Sequence, residues 1–202
     1  SNSKFLFNGY NNCEKIIALE NINTSNVIDM ASMFYECNKL TNLDLSSFDT
    51  SNVTDMSGMF NGCTSLVSAN LNSFDTSNVT DMSTMFYKCN NLKSLDLSTF
   101  NTSNVIDMSC MFAYCLKLTN LDLMNIDTSK VTNMSEMFYY CENLNSVDLS
   151  NFRTSNVVDM GEMFVACESI RSLDLRNFDT IKVENMSRMF AYCENLKSLN
   201  LS

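Results

Sequence analysis

A single pattern repeats every 26 residues along almost the whole of this 202-residue chain. One valine and one cysteine mark each copy: Val27, Val53, Val79, Val105, Val131, Val157 and Val183, with Cys37, Cys63, Cys89, Cys115, Cys141, Cys167 and Cys193. The unit reads V-x-D/N-M-S/A/G-x-M-F-x-x-C-x-x-L/I-x-x-L/V/A-D/N-L-x-x-F/I-x-T-x-x. So short a unit cannot bury a core alone, whereas stacked copies can, and the pattern therefore predicts a solenoid. Because no linker interrupts it, residues 1–202 are predicted to form one domain.

Each copy, or rung, has a readable local structure. The alternation of apolar and polar residues at 43–45 predicts a short strand with one buried face, and 53–56 predicts a second extended segment. Asp55 or Ser57 can then cap one helical turn, which would place the apolar residues of 59–63 on its inner side. The predicted fold class is thus α/β, with short parallel strands and one helical turn per rung.

The two ends of the array depart from the pattern. Aligning Cys13 with the cysteine column places Leu6 in the first methionine column, Tyr10 in the phenylalanine column, and Ile17 and Leu19 at strand positions. Residues 3–22 are therefore predicted to be a degenerate first rung, and 23–202 regular repeats, giving eight rungs. No cap follows the last strand, which we expect to be a fragment boundary or a surface that stacks on another chain.

Composition excludes several classes of function. With 13 basic and 23 acidic residues, the net charge of −10 argues against binding to nucleic acid or to an anionic membrane. The chain has no His, which removes Ser-His-Asp and Cys-His catalysis, and only four Gly, too few for phosphate-binding loops. No apolar run is long enough to insert into a membrane, and no signal peptide is visible. We expect neither an enzyme nor a cofactor.

The strand of each rung carries a leucine-rich-repeat signature, as at Leu40-x-x-Leu43-x-Leu45, and a longer segment follows it at 48–63. This longer unit resembles the BspA-like leucine-rich-repeat surface proteins, in the variant with repeats of about 25 residues that is also found in mycoplasma lipoproteins. The resemblance covers residues 21–202. It implies a right-handed solenoid on the bacterial cell surface, used for adhesion or for binding host proteins, with no catalytic residues to carry over.

The nine cysteines form no metal-binding pattern, because seven of them occur singly, one per rung. We expect these seven to be buried, reduced thiols that pack as small apolar groups, although adjacent rungs at about 4.8 Å would lie within disulfide range. Cys110 occupies a different position, held elsewhere by Ser, Gly, Thr, Glu or Arg, and is expected to be exposed. No metal site is predicted.

Two columns of Asp and Asn and one of Thr run along the solenoid. The strand column contains four successive aspartates, Asp96, Asp122, Asp148 and Asp174, which should repel one another unless hydrogen bonds, cations or a basic partner relieve them. The second column, which includes Asp55, is expected to cap the following turn. The Thr column, which includes Thr50, is expected to bond to turn backbone rather than to bind ice.

Specific recognition has to use positions at which rungs differ. The two residues before each cysteine vary and are often tyrosine, an effective interface residue. The strand face is mostly Ser, Asn and Asp, varied only by Met124 and Arg176. We therefore expect binding at two surfaces, with affinity on the first and electrostatic steering of a basic partner on the second: Tyr35, Tyr87, Tyr114, Tyr139 and Tyr140, and Asp96, Asp122, Asp148, Asp174, Met124 and Arg176.

Two functions remain open from the sequence. The first is a non-enzymatic adhesion or interaction module, on the cell surface or secreted, whose partner is a protein or glycan of a host or neighbouring cell. The second is a structural spacer or a rod that self-assembles through its uncapped end. Light scattering against concentration separates them, because a stacking rod lengthens.

Overall fold

The computed structural model describes residues 2–201 and is a solenoid of stacked rungs. The leucine segments form six short strands: β1 Asn42–Asp44, β2 Ser68–Asn70, β3 Asn120–Leu121, β4 Ser146–Val147, β5 Ser172–Asp174 and β6 Ser198–Asn200. They pair in parallel as β1–β2, β3–β4 and β5–β6, each with a 26-residue offset such as Asn42 opposite Ser68. The predicted solenoid of short parallel strands is confirmed.

A second ladder is more continuous than the strands. Parallel bridges connect the second Asx column in every neighbouring pair of rungs, from Asn2 opposite Asp29 to Asp159 opposite Asn185. The leucine strands, by contrast, are hydrogen-bonded only in pairs. Backbone hydrogen bonding between rungs is therefore most continuous on the side of the solenoid that contains this ladder.

The segment predicted as a helical turn is instead a row of tight turns, and that detail of the prediction is wrong. In the second rung, the N–H groups of Met33, Tyr35 and Cys37 donate to carbonyls three residues earlier. The alternate N–H groups point along the solenoid: that of Phe34, for example, donates to the carbonyl of Met59 at 2.9 Å. A helix would use all of these donors internally and leave none for the next rung.

This row of turns requires a left-handed backbone at two points in each rung. In the second rung these are Ser32 and Glu36, with φ of 54° and 56°. In the third rung both equivalent positions are glycine, Gly58 and Gly62, the residue type for which such φ values cost least. In the later rungs both positions are occupied by other residues.

The core consists of the predicted apolar columns. The Val, Met, Phe and Cys columns are essentially inaccessible from the second rung to the seventh. The rings of Phe7, Phe34, Phe60, Phe86, Phe112, Phe138, Phe164 and Phe190 form a continuous stack with centroids 5.3–5.9 Å apart. Such stacking adds to the burial of area in holding neighbouring rungs together. In the last described rung Met186 is 49% exposed, since no described rung covers it.

The cysteine column forms a ladder of hydrogen bonds. All nine cysteines are free thiols, and those from Cys37 to Cys167 in the column are buried. Each thiol donates to the phenylalanine carbonyl of the preceding rung, as from Cys63 Sγ to the Phe34 oxygen at 3.1 Å. Burial raises the pKa of Cys37 to about 11 and that of Cys115 to about 12, so both stay protonated and able to donate.

The threonine column joins rungs through paired hydrogen bonds. Thr76 Oγ1 accepts the N–H of Asn101 at 2.8 Å and donates to the carbonyl of the same residue at 2.9 Å. Thr50, Thr128 and Thr154 make the same pair with the next rung. The expectation that this column bonds to turn backbone is confirmed, and the backbone involved belongs to the neighbouring rung.

The first rung has a different register from the one predicted. The Phe7 ring stacks on Phe34 at 5.3 Å, and the Phe7 carbonyl accepts the thiol of Cys37. Phe7, not Tyr10, therefore occupies the phenylalanine column. Leu6 takes the second methionine position, and Tyr10 the cysteine position, since its N–H donates to the Phe7 carbonyl as that of Cys37 does to Phe34.

The residues after this point also depart from the prediction. The N–H of Cys13 donates to the Tyr10 carbonyl, as that of Leu40 does to Cys37, so Cys13 takes the position of Leu40. No strand forms at Ile17, which is 74% exposed, and Leu19–Asn21 is a single 3-10 turn. The alignment on Cys13 was wrong because backbone hydrogen bonding and ring stacking, and not the cysteine, determine the register of the first rung.

Replacing Thr76 with Val tests the threonine ladder. The change keeps the shape of the buried Thr76 side chain but removes the partner of both the N–H and the carbonyl of Asn101, and we expect it to lower the free energy of unfolding by about 2 kcal/mol. Urea unfolding followed by circular dichroism measures this, provided that the slope with denaturant is unchanged.

Thr80→Val is the matched control for that change. Thr80 is exposed, and Val158 occupies the equivalent position naturally. Its free energy of unfolding should change by less than about 0.5 kcal/mol. Equal losses in the two variants would show that the paired bonds contribute nothing specific.

Candidate functional site

The strand-face aspartates are engaged in local turns. Each carboxylate accepts the backbone N–H two residues later, as Asp96 does from Ser98 at 2.9 Å and Asp148 from Ser150 at 2.9 Å. The hydroxyl and then the N–H of Ser98 hold the pKa of Asp96 below the usual value, and the N–H and then the hydroxyl of Ser150 do the same for Asp148. Asp122 accepts from the N–H of Met124 in the same way, at 3.0 Å. Local hydrogen bonds are therefore one of the interactions that offset the repulsion expected among the four successive carboxylates.

The two residues that vary on the strand face behave differently. The Arg176 guanidinium forms a bidentate contact with Asp174, at 2.8 Å in its shortest pair, and this holds the pKa of Asp174 low. Met124 makes no such contact and is 54% exposed. The strand face thus offers exposed carboxylates and, at Met124, an exposed apolar side chain.

Asx turns of this kind occur at three points in most rungs, a regularity that the sequence analysis did not recognise; Arg153 replaces the Asx residue at one of these points. The other two columns are represented by Asp49, which accepts the N–H of Ser51, and Asp55, which accepts that of Ser57. The expected capping role of the second column is confirmed, but the residues capped form a turn and not a helix. Much of the acidic composition is accordingly turn chemistry.

Four of the five predicted tyrosines come together. We call Tyr87, Tyr114, Tyr139 and Tyr140 the tyrosine cluster; they lie on three consecutive rungs. The Tyr114 ring is at the centre, 5.6 Å from Tyr87, 5.3 Å from Tyr139 and 5.1 Å from Tyr140, and is stacked on the last with an angle of 19°. Tyr139 and Tyr140 are themselves 4.8 Å apart. All four are half-buried.

The fifth predicted tyrosine lies apart from the cluster. Tyr35 is two rungs before Tyr87 in its column, with Asn61 between them. Its charged neighbour is Glu36, whose carboxylate raises the pKa of Tyr35. The structure describes no ring contact between Tyr35 and the tyrosine cluster.

Two rings of the cluster are carried on a left-handed backbone. Tyr114 and Tyr140 have φ of 61° and 55°, and their column contains Gly62 in the third rung and Ala166 in the seventh. A bulky residue with such a φ is an outlier, and outliers of this kind are concentrated at functional sites. The backbone of every rung imposes the conformation, but the sequence places an aromatic ring there in only some rungs.

Charged groups border the tyrosine cluster. The Lys88 ammonium lies over two of its rings, 5.2 Å from the centroid of Tyr87 and 5.8 Å from that of Tyr114. Burial and then the Glu136 carboxylate raise the pKa of Cys110 to about 12. Glu136 also raises the pKa of Tyr87, after the larger effects of burial, Tyr114 and Cys110. The Glu136 carboxylate therefore lies within electrostatic range of both Cys110 and Tyr87.

A second carboxylate lies near the other end of the cluster. Burial, Tyr114 and Tyr140, and more weakly Glu162, raise the pKa of Tyr139 to about 12. Glu162 forms an ion pair with Arg188 at 3.4 Å. Within residues 2–201, Glu136 takes part in no ion pair. The sequence analysis did not single out Lys88 and Glu136, because the interactions of Lys88 with Tyr114 and of Glu136 with Cys110 join different rungs.

Two further properties concern the whole of the described chain. Residues 2–201 contain no group of three or more Cys, Asp or Glu side chains placed to hold a metal ion. In the same residues, no helix has the length and apolar character needed to cross a membrane.

The fold defines a solenoid of the leucine-rich-repeat type, and the chain belongs to a family that matches it almost from end to end. The model of DUF285, described as a Mycoplasma protein of unknown function, matches residues 2–121 and 115–201. The resemblance of this repeat to those of mycoplasma proteins is thereby confirmed. No curated protein is significantly similar to the chain.

Solved structures of bacterial leucine-rich-repeat proteins are also similar to this chain. One from Eubacterium ventriosum is 20% identical with a TM-score of 0.49, and the match covers 72% of this chain and 35% of that protein. One from Bacteroides ovatus is 20% identical with a TM-score of 0.48, and the match covers 86% and 40% of the two chains. The chain thus spans less than half the length of either protein.

Alkylation of Cys110 tests the geometry at the border of the cluster. Glu136→Gln removes the carboxylate that helps to raise the pKa of this thiol, so more thiolate is present at pH 9 and Cys110 should react several-fold faster with iodoacetamide. Peptide mass spectrometry measures the rate at each cysteine. In the unmodified protein, Cys63, Cys89, Cys115, Cys141 and Cys167 should react only after unfolding.

Glu162→Gln is the control, since Glu162 does not affect the pKa of Cys110. An unchanged rate at Cys110 in Glu136→Gln, or equal acceleration in both variants, would contradict the placement of Glu136. Half-buried Cys110, which the sequence analysis expected to be exposed, should react more slowly than Cys13 in the unmodified protein.

Proposed function

We propose that this protein is a non-enzymatic, protein-binding module that acts at the bacterial cell surface in adhesion, and that the tyrosine cluster is its affinity-bearing surface. The observation that carries the proposal is the contact of four half-buried aromatic rings on three consecutive rungs. Tyrosine supplies large amphipathic contact area for little loss of side-chain entropy. Rings that already pack against one another lose still less on binding.

The placement of the cluster supports a role in recognition. The core columns have the same residues in nearly every rung, because each has to stack on its neighbours. The pair before each cysteine is free of that constraint, and the equivalent of Tyr139–Tyr140 in the next rung is Val165–Ala166. Aromatic rings concentrated at a freely variable position indicate a local function and not a requirement of the fold.

The strand face supports only a secondary role. Its carboxylates already accept local hydrogen bonds, and Met124 is an isolated exposed apolar side chain among them. Exposed charges of this kind change association rates and salt dependence more than they change affinity. We assign to Asp96, Asp122, Asp148 and Asp174 the steering of a basic partner. Tyr35 lies outside the cluster and has no part in this proposal.

Surface location is the less direct part of the proposal. It rests on membership of a family described from Mycoplasma and on the resemblance to BspA-like surface proteins. The partner is accordingly proposed to be a protein on a host or neighbouring cell.

The experiment measures binding of the fluorescently labelled protein to intact epithelial cells by flow cytometry. The test variant combines Tyr114→Ala, Tyr139→Val and Tyr140→Ala, which are residues that the seventh rung has at the same two positions. Ala166 has φ of 55°, so alanine is compatible with that backbone. We expect saturable binding to the cells, lost by at least tenfold in the variant and abolished when the cells are first treated with trypsin.

The matched control combines Asp96→Asn, Asp122→Asn and Asp148→Asn, since Asn70 occupies this column naturally and makes the same turn bond. This variant should lose about threefold in binding at physiological salt and less at high salt. The assignment of the site is wrong if the tyrosine variant binds normally while the asparagine variant does not bind. Binding that survives trypsin would exclude a protein partner, and growth of particle size with concentration in light scattering would favour the self-assembling rod.

A further inference from the structure

We propose that the tyrosine cluster accepts an arginine side chain from a basic segment of the partner protein, that Glu136 pairs with its guanidinium, and that Lys88 occupies this position in the free protein. The inference rests on the proposed function and adds to it the chemistry of the bound group. Three features of the cluster lead to it.

The first feature is the position of Lys88. Its ammonium lies over the rings of Tyr87 and Tyr114, which shows that these half-buried rings accept a cation. The structure describes no hydrogen bond and no ion pair for this ammonium. An exposed cation–π contact of this kind is worth roughly 0.5–1 kcal/mol, so a partner group with additional contacts can displace it.

The second feature is Glu136. It is half-buried, its backbone carbonyl accepts the N–H of Tyr139 at 3.0 Å, and its carboxylate helps to raise the pKa of Cys110 in the preceding rung. Within residues 2–201 no cation forms an ion pair with it. The other carboxylate at the cluster, Glu162, already has Arg188 as its partner. A cation bound on the rings beside Glu136 would therefore gain an electrostatic interaction that the free protein does not use.

The third feature is the shape of the surface, which favours arginine over lysine. A planar guanidinium can stack on a tyrosine ring and still donate hydrogen bonds from its edge to a carboxylate. A compact ammonium lacks a flat face with which to stack while it donates to the carboxylate. Tyr114 and Tyr140 are stacked on each other, and Tyr140 belongs to the same rung as Glu136. An uncharged proline-rich segment or a sugar could contact the rings but would form no ion pair with Glu136.

The probe is a five-residue peptide with two arginines, blocked at both ends, with lysine and citrulline versions for comparison. Binding is followed by NMR of the protein labelled at the tyrosine rings. We expect the arginine peptide to shift the ring signals of Tyr87, Tyr114 and Tyr140, with about threefold higher affinity than the lysine peptide. The citrulline peptide, which keeps the shape but not the charge, should bind at least tenfold more weakly than the arginine peptide.

Four variants separate the contributions. Tyr114→Ala with Tyr140→Ala should weaken the arginine peptide about tenfold, and Glu136→Gln several-fold. Lys88→Ala should strengthen it about threefold, because an internal competitor and a like charge are removed. Tyr192→Ala is the control: Tyr192 is in the same column but outside the cluster, and its ring has its own cation, Arg188, at 6.0 Å. This control should change the affinity by less than twofold.

The outcomes distinguish this inference from the proposed function. Equal binding of arginine and lysine peptides, or weaker binding in Lys88→Ala, would overturn the assignment of an arginine site. So would equal binding of the citrulline peptide. If any of these occurs while the triple tyrosine variant still loses cell binding, the cluster remains the binding surface and only its occupant is different. If cell binding is unaffected, the proposed function fails independently.

Discussion

The stack of rungs depends on the alternate amide groups of the turn segment. In the second rung, Met30, Ser32, Phe34 and Glu36 donate to carbonyls of the third rung at 2.7–3.0 Å, and the same four bonds join the later rungs as far as the last one described. The amides between them are satisfied within the turn or by the Asx side chain. This accounts for every backbone donor of a buried segment, which a solenoid with so few helices and strands has to achieve.

This pattern of hydrogen bonds requires strained backbone conformations, and contacts elsewhere in the structure offset their cost in free energy. Two residues in each rung have positive φ, and at non-glycine residues this conformation costs of order 1 kcal/mol each. The compensation comes from contacts that only the stacked state makes, namely the phenylalanine stack, the thiol ladder and the paired threonine bonds. A single rung would have the strained backbone without these contacts, which is why the unit is stable only when several copies are stacked.

The regular parts of this design could be predicted from the sequence, and the irregular parts could not. Periodicity alone identified the solenoid, the buried columns and the position of the tyrosines, because equivalent positions in successive rungs are necessarily neighbours. The helical turn was wrong because a row of turns and a helix place Met59, Phe60 and Cys63 on the same inner side. The sign of φ at Thr84 or Glu136 is not evident where glycine is not used. The first rung was misaligned because the alignment was anchored on Cys13 and not on Phe7. The role of Phe7 is evident only from the stacking of its ring on Phe34.

The tyrosine cluster also shows where a strictly periodic protein can be specific. Identical rungs repeat the same surface, so a partner could bind at several equivalent positions along the solenoid with similar affinity. Tyr114 and Tyr140 break that translational symmetry, because an aromatic ring occupies a left-handed position that holds Gly62 or Ala166 in other rungs. Lys88 and Glu136, which has no ion-pair partner within residues 2–201, add charge to the same rungs. Aromatic area and charge that coincide on three consecutive rungs define one register among the possible ones, so a partner that recognises both binds the solenoid at a single place.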